Sequence, residues 1–430
     1  MAARLTTIRE RLTGRAFIWG ALLCLSFAPM AGSESRAAVP GAQPASWARA
    51  WPMVGHDPQH TNRSASIGPL HPRLLFINHS LTPPVLIGAD GGLYGWSNTQ
   101  GAHAQGLAAL TAMGQPRWTV SLSRIEGGPP ALAPDGSVLV NGQDGTGQVI
   151  ASVTPTGQRG WTIRSLPWTT GLRETPHSKG EASLVSSTGL LYQPFVGPEF
   201  KLGDNVGLQI VSPAGAPLRV LQRGLIPRAV ALARDGTVYE LAARCCANPV
   251  SLLALSPTGT LLWARTLGFA PSYVNAGLLV GMDGTIYASD GTGIGAGNAS
   301  EIVAYTPTGR RLWRLQTIDG AAALAERPDG TLLSASTTSL SAVRPRGTRV
   351  WRRALGRPTG AAALPTLPSL AVDAASRLYV GGSDGVVRAI GPDGVELWTL
   401  GQPNPQGTPS VALGPDGQLA VVSDALRVYQ

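Results

Sequence analysis

Short apolar runs flank a tight turn at regular intervals along this chain. The turns read "GADGGLYG", "APDGSVLV", "SSTGLLYQ", "ARDGTVYE", "GMDGTIYA", "RPDGTLLS", "VDAASRLYV" and "GPDGQLAV". Asp-Gly between alternating apolar residues predicts a β-hairpin, because glycine takes a positive φ at no steric cost. A second turn alternates with the first and ends in tryptophan: "TAMGQPRW", "TPTGQRGW", "SPTGTLLW", "TPTGRRLW", "RPRGTRVW" and "GPDGVELW". In all six the glycine stands four residues before the tryptophan, from Gly114 and Trp118 to Gly394 and Trp398. A seventh copy, "SPAGAPLRV", keeps the turn at Gly215 and lacks the tryptophan.

Each unit therefore predicts four short antiparallel strands. The period of about 46 residues is that of a propeller blade, which buries its apolar faces only against neighbouring blades. Seven units are complete or nearly so, and the eighth stops at Gln430 after three strands. The segment "HPRLLFINHS", 71–80, supplies the missing strand, with Phe76 at the tryptophan position, 42 residues before Trp118. The expected fold is all-β: an eight-bladed β-propeller whose last blade is closed by the N-terminal strand, which pairs an otherwise open edge.

The first residues read differently. Arg4, Arg9, Arg11 and Arg15 precede the apolar run "AFIWGALLCLSFAPMA", and small residues follow at Ser33 and Ala37. This is the pattern of a cleaved signal peptide, too short for a bilayer span of roughly 20 residues. The domains expected are a signal peptide over 1–37, an N-terminal lead-in segment over 38–68 and one propeller over 69–430. Secretion to the periplasm or cell surface follows, as a monomer with no membrane span after cleavage.

Charge adds little. The net charge of +9 falls to +6 without the five arginines and two glutamates of 1–37. Arginines stand singly, and alternation splits the densest run, "RPRGTRVWRR", between strand faces. No continuous basic face is expected, which argues against a nucleic-acid partner. The 54 glycines and 35 prolines are not low-complexity sequence, because they recur at the turns.

The "A-x-S-P-T-G-x-x-x-W" units resemble the tryptophan-docking repeats of the pyrroloquinoline-quinone (PQQ)-like β-propellers. The segment "WPMVGHDPQHTNRSASIGP" resembles the N-terminal signature of exported members. The resemblance covers almost all of residues 47–430. It implies either a quinone-dependent dehydrogenase, with PQQ and Ca²⁺ at the propeller axis, or a cofactor-free scaffold of envelope assembly. Ser256 and Thr306 stand where the family's repeat usually carries aspartate, which marks a divergent branch and keeps the enzymes' function from being carried over.

Several positions are candidates for chemistry. Cys245 and Cys246, adjacent in "RCCANP", fall between the second and third strands of the fourth blade. A disulfide ring there is strained, because adjacent Cα atoms lie about 3.8 Å apart, below the usual range. A ring that stiffens the loop, two free thiols and a ligand contact all remain open; the quinone enzymes imply the last, with an adjacent-cysteine disulfide against the cofactor. "GHDPQH" places His56, Asp57 and His60 in a turn, where Asp57 is expected to bond local backbone amides and not a metal. The glycine-rich "DGTGIGAGN" lacks the lysine and following helix of a phosphate loop. The two longest insertions, 165–181 and 193–207, fall on the same face as Cys245. They carry Trp168, Arg173, His177, Phe195, Phe200 and Lys201, aromatic residues set among charges as in a binding rim. The reading is a non-catalytic module that binds a protein or glycan partner, with no catalytic residues, no metal and no cofactor. The quinoprotein and the envelope-assembly scaffold are the alternatives.

Overall fold

The computed structural model describes residues 47–97, 106–122, 126–143, 148–164, 183–196, 206–222, 224–243, 250–267, 277–289, 300–317, 323–355, 368–401 and 408–430. The expected signal peptide, Cys245 and Cys246, and the glycine-rich 290–298 stretch lie outside these residues. Every described strand lies within the compact unit Ala38–Gln430.

The strands form eight antiparallel sheets, each ordered from an inner first strand to an outer fourth. Blade 1 runs Leu81–Ile87, Leu93–Ser97, Gly106–Leu110 and Pro116–Ser121. Blades 2 to 7 repeat the plan, their second strands beginning at Val138, Leu191, Val238, Ile286, Leu332 and Leu378. First strands of neighbouring blades touch, and Ser410–Leu413 of blade 8 meets Leu81–Ile87 of blade 1, which closes the ring. Leu74–Asn78 completes blade 8 beside Leu426–Tyr429, with Phe76 opposite Val428. The eight-bladed propeller and its N-terminal closure are as the repeat predicts.

The outer strands explain the spacing of glycine and tryptophan. A Cβ on Gly157 would lie 2.5 Å from the Trp118 ring, and one on Gly347 2.7 Å from Trp313. The indole thus lies flat on the next blade's turn, where only a glycine leaves room. Its N–H is used too. Trp118 donates to the Pro155 carbonyl at 2.9 Å, Trp161 to Pro213 at 2.9 Å, Trp263 to Pro307 at 2.8 Å and Trp313 to Pro345 at 2.7 Å. A tyrosine of the second strand backs the ring in several blades, as Tyr287 does behind Trp313 at 5.8 Å between centroids. Ser256 and Thr306, in place of aspartate, accept the turn's Thr260 and Arg310 N–H groups at 3.0 and 3.1 Å.

Two blades lack a standard partner. In blade 3 Arg219 occupies the tryptophan register opposite Ile210, and Leu221 covers Gly259 instead. Blade 7 faces a blade whose fourth strand comes from elsewhere in the chain. Trp398 therefore donates to the Pro69 carbonyl at 3.2 Å, and Phe76 lies over Gly114 as the other rings lie over their glycines.

Trp313→Phe removes the bond to Pro345 but keeps a ring over Gly347, and costs about 1 kcal/mol. Gly347→Ala puts a methyl into the ring at a φ of 84° and costs about 2–4 kcal/mol. Denaturant midpoints should fall in that order. Arg219→Trp, which restores the missing indole, should raise the midpoint.

Candidate functional site

Because all strands are antiparallel, the Asp-Gly turns and the turns under the tryptophans share one face of the ring. The connections between second and third strands, and between blades, lie on the other.

On the first face, residues 51–66 follow the inner ring from blade to blade. Trp51 pairs with Ile87 of blade 1 in both directions, at 2.7 and 3.0 Å. The Pro52 carbonyl then accepts from Leu132 of blade 2, Pro58 from Leu232 of blade 4 and Gln59 from Val280 of blade 5. Thr61 accepts from Glu326 of blade 6, and Asn62 from Val372 of blade 7. Ser66 Oγ reaches Pro415 of blade 8 at 3.1 Å. At blade 3 the contact is apolar: buried Met53 clusters with Val185 and Leu191. The segment turns this tightly through positive φ at His56, His60 and Asn62 (72°, 59° and 52°). Each bond falls at the end of a first strand, beside its hairpin turn, so this chain segment occupies the mouth of the ring on that face.

Its polar side chains bond both within the segment and to the inner strands, Gln59 donating to the Leu232 carbonyl and Asn62 to the Leu324 carbonyl, each at 2.8 Å. Asp57 accepts the Thr61 N–H at 2.9 Å and the Thr61 hydroxyl, beside the His56 ring at 3.4 Å. Burial opposes its charge, but the bonds from His56 and Thr61 prevail and hold the carboxyl below its ordinary range. Burial pushes the His60 imidazole down against the pull of Asp57. Glu326, also buried, accepts the Met282 N–H at 3.1 and 3.2 Å and lies 3.7 Å from Arg63. Burial outweighs both and pushes Glu326 up to about 7. Sequence reasoning missed this residue, because "ALAERPDG" reads as a polar approach to a turn.

The loop-bearing face is represented by strand ends. Of the residues expected at a binding rim, Trp168, Arg173, His177, Phe200 and Lys201 lie outside the described residues. Phe195 does not belong to a rim. It is 4% exposed, inside the strand Leu191–Val196 and opposite Gly207. The strands of blade 3 run further than the proline and glycines of 193–207 suggest, and the connection between them shrinks to 197–205.

Between blades 2 and 3, next to the 165–182 segment, the structure places a buried polar cluster that the sequence analysis did not single out. Asn141 donates to the Ser183 hydroxyl, which donates to Gln193 Oε1 at 2.5 Å. Gln193 pairs across the strands with Gln209. All four are at most 4% exposed, and Asn141 Oδ1 and Gln209 Oε1 have no hydrogen-bond partner among the described residues. Unpaired buried amide oxygens are costly, so they mark a place where a donor from water, loop or partner is welcome. The signal was present: "VLVNGQ" and "GLQIV" put Asn and Gln where alternation calls for apolar residues.

No group of three or more His, Cys, Asp or Glu side chains that could hold a metal ion occurs among the described residues. The inner mouth on one face is taken by residues 51–66.

Comparison with known proteins agrees with the architecture. Residues 249–430 match the family model described as outer membrane protein assembly factor BamB, a PQQ-like repeat family. The crystal structure of BamB from Moraxella catarrhalis is similar at a TM-score of 0.54 and 15% identity, over 84% of this chain and 99% of that one. The Dos1 propeller gives 0.57 at 11% identity, over 84% and 95%. The C-terminal WD40 domain of Sif2 gives 0.52 at 9% identity, over 85% and 98%. At these identities the likeness is one of fold. No curated protein matches the chain.

The pH dependence of stability tests the buried carboxyl. A folded pKa raised to about 7 from 4.5 means that the native state holds a proton the unfolded chain has lost. Stability therefore falls as pH rises from about 4.5 through 7, by up to roughly 3 kcal/mol. Glu326→Gln removes this term. Its melting temperature relative to the unsubstituted protein should rise between pH 5 and pH 8.

Proposed function

We propose that this PQQ-like β-propeller is an exported, non-catalytic scaffold of the cell envelope that holds a protein partner on its loop-bearing face. The observation that carries the reading is the difference between the two faces. One has its central mouth filled by residues 51–66 of the same chain, bonded to the ends of the inner strands. The other carries the long segments 165–182 and 197–205, next to a buried floor with two unused amide acceptors. A rigid ring with long loops on its free face is a platform for recognition, since loops carry specificity where a scaffold fixes their ends.

Trp168, Arg173, His177, Phe200 and Lys201 are the partner-contacting residues of this reading. Cys245 and Cys246, on the same face, stiffen a neighbouring loop. The matched family is described by outer-membrane protein assembly, which supports an envelope scaffold with a protein partner over the glycan alternative. The reading includes no cofactor.

Two measurements test it. A photo-crosslinking amino acid at Trp168 or Phe200 should capture one common envelope protein, while the same probe at Asp135, on the opposite face, captures none. The product should vanish when 165–182 is replaced by a short Gly-Ser linker. Capture from Asp135 alone, or from no position, removes the loop-face assignment. Calorimetric titration with PQQ and calcium, on oxidised and reduced protein, should give no heat and no dye-linked alcohol oxidation. Tight binding with turnover establishes the quinoprotein instead.

A further inference from the structure

The arginine-rich stretch around "RPRGTRVWRR" takes no part in the site above; alternation turns Arg349 toward the Gln316 carbonyl of blade 5 and Arg353 toward the Gly394 carbonyl of blade 7, yet the turn arginines before the strand stay exposed. Arg344, Arg346 and Arg349 are exposed, as are Arg310 and Arg311 of the preceding blade. They lie on the outer strands Arg311–Thr317 and Arg349–Ala354 and on the turns that lead into them. The two strands are side by side: Trp313 of the first donates to Pro345 in the turn before the second, and Arg349 reaches back to the Gln316 carbonyl at 3.2 Å. Exposed Leu312 and Val350, 40% and 49% accessible, stand among the arginines.

Acidic partners are few there. The described residues of 277–354 hold nine arginines and four carboxylates. Glu326 is buried at the inner ring, and Asp283 and Asp329 accept the N–H groups of their own hairpin turns at 2.8 and 2.9 Å. Among the described carboxylates of these two blades, Glu301 reaches the outer strands, pairing with Arg314 at 3.1 Å. What remains is a basic, partly apolar band on the convex outside of two neighbouring blades.

We propose that this outer edge of blades 5 and 6 rests on an anionic phospholipid bilayer. Guanidinium groups bind phosphates through paired N–H donors, and an anionic surface attracts each nearby arginine. Leu312 and Val350 supply apolar contact at the headgroup level. The shape favours a bilayer over an acidic peptide. Outer strands of successive blades follow the rim of a ring, so the band bulges and offers a flat surface several contacts at once. An added peptide strand needs free backbone acceptors, and Arg349 already occupies the Gln316 carbonyl. The loop-bearing face lies on the other side of the ring from the turns that carry Arg344 and Arg346, and stays open to a partner.

The test is co-sedimentation of the chain from Ala38 onward, the compact unit that holds every described strand, with phosphatidylcholine vesicles with and without phosphatidylglycerol. Binding should require phosphatidylglycerol and fade in high salt. The triple variant Arg311→Gln, Arg344→Gln, Arg346→Gln should weaken it about a hundredfold, at about fivefold per arginine. Arg219→Gln, which removes an exposed arginine from blade 3, should bind as the parent does. Melting temperatures of both variants should match the parent, since none of these side chains makes a blade-to-blade bond. Equal binding to neutral vesicles, equal loss in Arg219→Gln, or no sedimentation overturns the proposal. So does preference for duplex DNA or a poly-glutamate peptide over the anionic vesicles.

Discussion

One indole lying on one glycine, repeated around the ring, is the contact on which this molecule depends. A four-stranded blade has two apolar faces and cannot bury either alone. The inner strands solve this by crowding together near the axis, but blades diverge outward, and the gap between outer strands widens. A tryptophan fills that gap with the largest side chain available and anchors its N–H on the neighbour's proline carbonyl. The glycine beneath it does two things at once: it supplies the left-handed turn, and it lacks the methyl that would hold the ring away. Where the indole or its turn is missing, the chain fills the place by other means, with Leu221 over Gly259, Phe76 over Gly114 and Pro69 beneath Trp398.

The same economy explains what was legible in the sequence. Turn chemistry is local, so Asp-Gly and the four-residue step from glycine to tryptophan announce strands, blades and their number. Phe76 could be matched to the last blade because it stands one period before Trp118. The path of residues 47–68 could not be read. That segment has no period, and its partners are spread from Ile87 to Pro415, met mostly through its own backbone and at Pro415 through the Ser66 hydroxyl. Phe195 was misplaced for a related reason: Pro194 and the following glycine imitate a loop, yet the cross-strand pairing runs through them to Val196. Glu326 and the cluster of Asn141, Gln193 and Gln209 left a trace only as polar residues at positions where the pattern calls for apolar ones.

Three regions of the surface are thus chemically distinct. The inner mouth is occupied by the lead-in segment, whose polar groups bond one another and the ends of the inner strands. The opposite face carries the long connections and the amide floor. The rim of blades 5 and 6 carries exposed arginines. A ring of repeats permits this division, because each blade's structural residues sit at the same few positions and leave turns and outer strands free to vary.

Closure of the last blade sets the timing of assembly. Leu74–Asn78 is among the first strands to be made, and its partner Leu426–Tyr429 is the last in the chain, with Arg73 and Gln430 bonded to each other in both directions. Early blades can pair their own strands as they emerge. The ring, however, stays an open arc with two bare edges until the C-terminal residues arrive, and a loop of some 350 residues must close in one step. A chain that loses its last strand keeps seven blades with their local contacts, and the lead-in segment still ties them together, but Leu74–Asn78 is left without the strand it pairs with.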